Sequence, residues 1–334
     1  MTLAGGGRRT YTPSLAAYEA YLKAIHESRA LTSEGLARSK TWFEQAIALD
    51  PRFALAHSAF AFQYAQLANY GLMPAGDAMP LVSAEAQRAL DIDPSLAEGH
   101  AMLGLVAAIY DYDWKDAAQR FDRAMASDPV PSQVRRYYAL YYLLPLGRTA
   151  DAVDQCARSL RDDPLDLLGR VRFAQCLDAD GRTEEAGREL RHVLELDESL
   201  WFTHFILGHY QLRDRRLPAA LTHAERAFAL APWNPSARGL LAAAYAVHGV
   251  SRIADALMEP LRSAPVYGAS LAFATFHLYR SELDSCADWV EKGIAERHPA
   301  IFVFLRSHAR DLIASPRWPG LAKRLNLPHY ERSV

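Results

Sequence analysis

Cysteine is scarce in this sequence. There are three in 334 residues, Cys156, Cys176 and Cys286, widely spaced and without a C-x-x-C pair. That leaves no basis for a disulfide framework, a zinc knuckle or a redox motif, and it fits a reduced, cytoplasmic setting. Long apolar runs are missing as well. The most apolar stretch, Tyr137 to Leu146, carries four tyrosines and is about half the length needed to span a bilayer, so no membrane segment is expected. Residues 1–13 have no apolar core, which argues against a secretory signal. Net charge is nearly absent, with 37 Lys+Arg against 39 Asp+Glu, interspersed along the chain. A protein that tracks phosphates usually presents a basic stripe, so a nucleic-acid partner is not expected.

Catalytic signatures are also lacking. No Gly-rich phosphate loop, nucleophile elbow or H-E-x-x-H motif occurs, and Gly5-Gly6-Gly7 reads as a flexible tail. Twelve histidines are present, but His204 and His209 are five apart and point to different helix faces, so they form no H-x-x-x-H pair. His192, His223, His248 and His277 carry no ligand spacing. Neither a cofactor nor a metal is expected. The cysteines read as buried, inert thiols. In YDYDW at 110–114 the acids lack the ordered glycine and closing glutamate of a calcium loop, and the segment reads as a turn.

What the sequence does have is a repeat. Similar closing turns recur: ALDP (48–51), DIDP (91–94), ASDP (126–129), RDDP (161–164), ELDE (195–198) and ALAP (229–232). Their last residues are spaced 43, 35, 35, 34 and 34 apart, and the period continues to Val266 and Pro299 with steps of 34 and 33. The long first step contains an apparent loop insertion, YGLMPAGDAMP at 70–80. The first half of each step holds a large apolar residue followed by a small one, as in Phe60-Ala61, Leu103-Gly104, Phe173-Ala174, Leu207-Gly208 and Phe273-Ala274. The second half holds residues four and then three apart, as in Ala117/Phe121/Ala124 and Ala186/Leu190/Val193. Such spacing defines one face of a helix, and small residues there let backbones approach. Proline closes the second helix. Gly147, Gly181 and Gly249 mark turns inside pairs, where a left-handed residue is needed. No segment alternates apolar and polar residues long enough for a sheet.

These motifs, over about residues 14–299, resemble the tetratricopeptide repeat (TPR) family. The aromatic expected early in each first helix is replaced by His57, His100, Arg135, Arg170, His204 and Arg238, and the closing proline is lost at Glu198 and Val266. The resemblance implies an all-α, right-handed α-solenoid of about eight TPR-like helix pairs. Residues 1–13 would be a flexible tail and residues 300–334 a C-terminal capping segment. The opening (17–51) and the tail (301–328) look like the ends of TPR arrays attached to bacterial signalling proteins. There the array follows a winged-helix domain, a nucleotide cyclase or a protein kinase. Here the repeats begin near residue 14, so the chain is expected either to act alone or to be a piece of a longer one.

A helix pair cannot bury its own apolar face, so pairs stack into a curved superhelix with first helices lining the inside. At about 100° per residue, positions two before, two after and five before the large core residue face inward. This arithmetic selects Leu55, Phe62, Leu105, Arg136, Leu140, Val171, Gln175, Phe202, Phe205 and His209, along with Ser58, Glu98, Gln133 and Leu168. The apolar members would form an exposed stripe, and such stripes commonly mark interaction sites. The expected function is a non-catalytic scaffold that binds a protein or peptide partner in an apolar concave groove. The alternative is an enzyme or small-molecule binder using the same groove. Arg136, Gln175 and His209 would then be its polar groups.

Overall fold

Aspartate and proline at the closing turns act as the sequence implies. Asp50, Asp93 and Asp163 leave helical geometry, with φ near −150°, −131° and −135°. Asp197 does the same, at φ −151°, although Glu198 replaces the proline. The carboxylates of Asp50, Asp93 and Asp197 accept hydrogen bonds from the backbone N–H two residues on, at 3.2, 2.9 and 2.8 Å. Aspartate thus holds the turn even where proline is absent, and the register survives. Inside pairs, Gly147, Gly181 and Gly249 take φ of 74°, 85° and 87°.

The computed structural model describes residues 11–328. The flexible tail expected over 1–13 lies outside the described residues as far as residue 10, and so does the chain end beyond 328. Eight helix pairs follow one another. The first four are α1 (Leu15–Arg29) with α2 (Ser33–Leu49), α3 (Ala54–Asn69) with α4 (Ala75–Ile92), α5 (Ala97–Val106) with α6 (Trp114–Met125), and α7 (Ser132–Tyr138) with α8 (Thr149–Asp162). The next four are α9 (Leu167–Ala179) with α10 (Thr183–Leu196), α11 (Trp201–Arg213) with α12 (Leu217–Leu230), α13 (Pro235–Val247) with α14 (Ser251–Ser263), and α15 (Ala269–Tyr279) with α16 (Leu283–Ala295). Three short helices end the array: α17 (Ile301–Val303), α18 (Arg310–Ile313) and α19 (Trp318–Arg324). No strand occurs among the described residues.

Two irregularities of the period have structural causes. The 35-residue steps are the two whose first helices run on into a π-helical stretch, Ala107–Asp111 after α5 and Ala139–Leu143 after α7. A π turn absorbs one extra residue without leaving the helix. The 43-residue step is not a loop as expected. Most of the insertion forms the start of α4, and the rest is a short turn at Tyr70–Pro74.

Packing follows the small-residue pattern. Ala61, Ala139, Ala174, Ala242 and Ala274 are fully buried, and so are Ala117, Phe121 and Ala124 on α6. Four of the side chains at the position of the TPR pattern's aromatic reach back to the closing turn. His57, His100 and His204 place Nε2 at 3.3, 3.0 and 3.0 Å from the carbonyl oxygen six residues upstream, in the closing turn. Arg170 donates to Pro164 O in the same way, at 3.3 Å. On their other side, His57 meets Glu85 at 2.6 Å, Arg170 meets Glu189 at 2.6 Å, and His204 meets His223 at 3.0 Å. His57, Arg170 and His204 thus tie the closing turn to the second helix of their own pair, while His100 makes only the first of these bonds, its Nδ1 having no hydrogen-bond partner.

The superhelix is wound tightly enough to touch itself. The end of α1 meets the start of α11, where Trp201 Nε1 donates to Leu31 O at 2.8 Å. The end of α3 meets the start of α13, where Asn234 Nδ2 donates to Tyr70 O at 3.0 Å. Arg297, after α16, donates to Tyr110 O at 2.9 Å, and Asn326, after α19, donates to Tyr112 O at 2.9 Å. Arg306 donates to Pro145 O at 2.9 Å. Arg310 donates to Asp178 O.

The close approach of first helices is most demanding at Gly239. A Cβ there would lie 2.5 Å from Ala272 Cα and 2.6 Å from its carbonyl oxygen, both backbone atoms of α15. Gly239→Ala is expected to destabilise the chain by about 1–3 kcal/mol. Gly76→Ala, whose Cβ meets nothing within 4 Å, should stay within about 0.5 kcal/mol or gain slightly from helix propensity. Urea titrations of the two variants check this, and equal midpoints would contradict the packing.

Candidate functional site

The inner wall divides into a covered half and an open half. In the covered half the C-terminal segment 301–313 occupies the concave side. Phe302, Phe304 and Leu305 join one core cluster with Leu105, Leu140, Val171 and Phe202. The latter four are 0–5% exposed, so the continuous exposed apolar stripe expected of them is corrected. The cause is the winding. Tyr70, from one superhelical turn earlier, presents its ring to Phe202 at 5.9 Å, and Arg172 lies 4.4 Å over the same ring. Phe205 stays half-buried, stacked on Phe202 at 5.9 Å.

The three polar groups expected together are not brought together as an open site. Gln175 is buried and accepts from Arg172 Nη1 at 2.8 Å. His209 is sealed, with its Nδ1 at 2.8 Å from the Tyr279 hydroxyl and its ring stacked on His308 at 3.9 Å. Arg136 lies in the open half.

Arg310 anchors the covered half. Its Nη2 is 3.2 Å from the Asp178 carboxylate, which is fully buried and is also held by Arg213 through bonds of 2.7 and 2.9 Å. The two guanidiniums offset the cost of burying this carboxylate with paired charge and hydrogen bonds.

The open half is a cavity of about 200 Å³ at the N-terminal mouth of the superhelix. The first helix of each of the first five pairs contributes to it: Tyr21 from α1, Leu55 and Phe62 from α3, Glu98 from α5, Arg136 from α7 and Leu168 from α9. Helical spacing alone placed Leu55, Ser58, Phe62, Glu98, Gln133, Arg136 and Leu168 on the inner face, and all line this cavity. Phe62 stacks against Tyr137 with ring centroids 4.5 Å apart.

The wall is mixed rather than greasy. Arg136 pairs with Asp166, whose other oxygen accepts the Gly169 N–H at 2.8 Å and so caps α9. Burial works against the Arg136 charge, but Asp166 more than offsets it and holds the guanidinium above its ordinary pKa. Glu98 accepts from Gln133 Nε2 at 3.1 Å. Burial pushes its carboxyl above the usual range. Gln63 is tied down by its donation to Leu36 O at 2.8 Å.

Several decisive residues escaped sequence reasoning. Trp201, Tyr70, Asn234 and Arg310 close the interior, yet their partners lie 102 to 170 residues away. A tryptophan opening α11, where other first helices open with smaller residues, was the available signal. Cys156 and Cys176, distant in sequence, face each other across α8 and α9 at 3.7 Å. Among the described residues no three His, Cys, Asp or Glu side chains converge as a metal site, and no helix is long and apolar enough to cross a membrane.

No protein-family model matches the chain, and no curated protein sequence does. Solved structures do. The fold is similar to that of yeast Tom70, with 13% identity, 95% of this chain and 69% of that one covered, and a TM-score of 0.53. YrrB, described as a TPR protein with an unusual peptide-binding site, aligns at 20% identity over 57% of this chain and 92% of its own, with a TM-score of 0.36. Human IFIT1 with m7Gppp-AAAA aligns at 17% identity over 92% of this chain and 69% of its own, with a TM-score of 0.41. At these identities the likeness concerns the fold: the chain is a TPR-type α-solenoid.

The covered half sets a pH dependence. Burial pushes the His298 and His308 imidazoles down to about 3 from an ordinary 6.5. Neutral rings are therefore favoured in the folded chain. Their contribution to stability is complete above pH 6.5 and is lost as pH falls from there toward 3. At pH 5 the loss is about 2 kcal/mol for each ring. Amide exchange across 301–313, corrected for intrinsic rate, should accelerate between pH 6.5 and 5 more than exchange in α2. Equal acceleration would show that these rings do not set the stability of the segment.

Proposed function

We propose that this TPR-fold chain is a non-catalytic scaffold holding a partner peptide at the open mouth of its superhelix. The observation that carries the reading is the cavity to which the first helices of five consecutive pairs each contribute a side chain. An α-helix with its side chains is about 10–12 Å across, too thick for a space of about 200 Å³. The partner helix or extended segment lies along the rim and sends an anchoring side chain inside. Leu55, Phe62 and Arg136 are the contacts retained from the inner face. Leu105, Leu140, Val171, Gln175, Phe202 and His209 are buried and lie outside this contact surface, and Phe205 sits at the edge of the covered half. On this reading the chain serves regulation in a bacterial cytoplasm, where its three buried thiols stay reduced.

A polyanion fits poorly. The two arginines that line the cavity are both engaged by carboxylates, Arg29 with Asp163 at 3.9 Å and Arg136 with Asp166. Arg136 is not free for a phosphate, and one at the exposed Arg29 would lie beside Asp163.

A phage-displayed library of random dodecapeptides, panned on the full chain, supplies the probe. Leu55→Glu at the rim should weaken the selected peptides about tenfold or more while changing stability by less than about 1 kcal/mol. Phe202→Asp, on the covered half, should instead cost about 3–5 kcal/mol of stability. Selected peptides that bind Leu55→Glu as tightly as the parent chain would refute the placement of the site.

A further inference from the structure

We infer that the side chain received by the open cavity is a cation, a lysine or arginine of the partner peptide. This deepens the peptide-binding reading and rests on it.

The first argument is charge. The cavity and the groove adjoining it at Arg29 and Asp166 are lined by five carboxylates, those of Glu27, Glu98, Asp163, Asp166 and Asp197. Against them stand the guanidiniums of Arg29 and Arg136. Four of the five carboxylates are already engaged. Asp163 and Asp166 hold those two arginines, and Glu27 is paired with Arg38 at 2.8 Å. Asp197 accepts from the Ser199 N–H and hydroxyl at 2.8 and 2.6 Å. Glu98 has no cation. Its side-chain partner is the neutral amide of Gln133. It is a half-buried carboxylate without a cationic partner, and a cation supplied from outside the chain would complete it.

The second argument is that the other half of the same inner wall already holds a segment in this manner. The chain's own residues 301–313 are seated by Arg310 on the buried Asp178, by Arg306 on the Pro145 carbonyl, and by the stacking of His308 on His209. An apolar segment with a basic residue set on an interior carboxylate is the occupant this solenoid is built to accept. The aromatic surroundings in the open half agree. Tyr21, Phe62 and Tyr137 surround the space, and Arg136 already lies 5.6 Å from the Tyr137 ring centroid. Aromatic faces favour a cation placed over them.

The random-peptide selection tests the inference with two independent changes. Selected peptides should carry Lys or Arg at one fixed position next to apolar residues. Replacing that residue by norleucine should weaken binding to the parent chain about tenfold, and Glu98→Gln should weaken binding of the basic peptide by a similar factor. The norleucine peptide should bind Glu98→Gln no worse than it binds the parent chain, which is the signature of a direct pair. Peptides that depend on Leu55 yet carry no fixed basic residue, or that bind Glu98→Gln unchanged, would overturn the cation while leaving the peptide site standing. Failure to select any peptide sensitive to Leu55→Glu would remove the peptide site itself. The norleucine arm uses the unaltered chain, so a folding defect in Glu98→Gln would not hide the answer.

Discussion

The structure depends on how the carbonyl groups at the ends of the first helices find donors. The last turn of any helix leaves carbonyl oxygens without intrahelical partners, and in a buried setting each needs a donor. Here they are satisfied from one superhelical turn further along. Leu31 O takes the Trp201 indole, Tyr70 O takes Asn234, Tyr110 O takes Arg297, Pro145 O takes Arg306 and Asp178 O takes Arg310. Three of the five donors are arginines, which also suit the negative end of a helix dipole. The pitch of the solenoid is set by this ladder, because each rung holds early pairs against late ones.

The rungs determine what the inner wall can do. Where the ladder is complete, Tyr70 and the C-terminal segment fill the concavity, and side chains such as Val171 and Phe202 become core. Where the late chain does not reach, at the starts of α3, α5, α7 and α9, the wall stays open and keeps its polar groups. The same helix faces therefore serve two purposes. Amino-acid type does not separate them, since Leu55 and Leu105 are the same residue and both are directed inward, yet only Leu55 lines the cavity.

That is also why the fold was legible in the sequence and the site only in part. The repeat is local. It depends on closing turns, on small residues such as Ala61 and Ala174, and on contacts between adjacent helices, all of which leave a periodic trace. The inward direction of Phe62, Glu98 and Arg136 follows from helical geometry for the same reason. Whether an inward residue meets solvent depends on pitch, and pitch depends on contacts such as Trp201 with Leu31, which occur once and have no period. The π-helical stretches fall between these cases. Their extra residue was visible as steps of 35, but its meaning needed the backbone.

The winding has a bearing on how the chain is made. Most helical-repeat arrays are assembled from neighbour-to-neighbour contacts, so each unit settles once the next emerges. In this one, Pro145 and Asp178 carry carbonyls whose donors, Arg306 and Arg310, lie 161 and 132 residues further along the chain. The repeats that carry these carbonyls can stack but cannot finish burying their helix ends until the donors have been made. The folded molecule gains an all-or-none character that a linear array lacks, and the partly made chain passes through a period in which these helix ends are exposed.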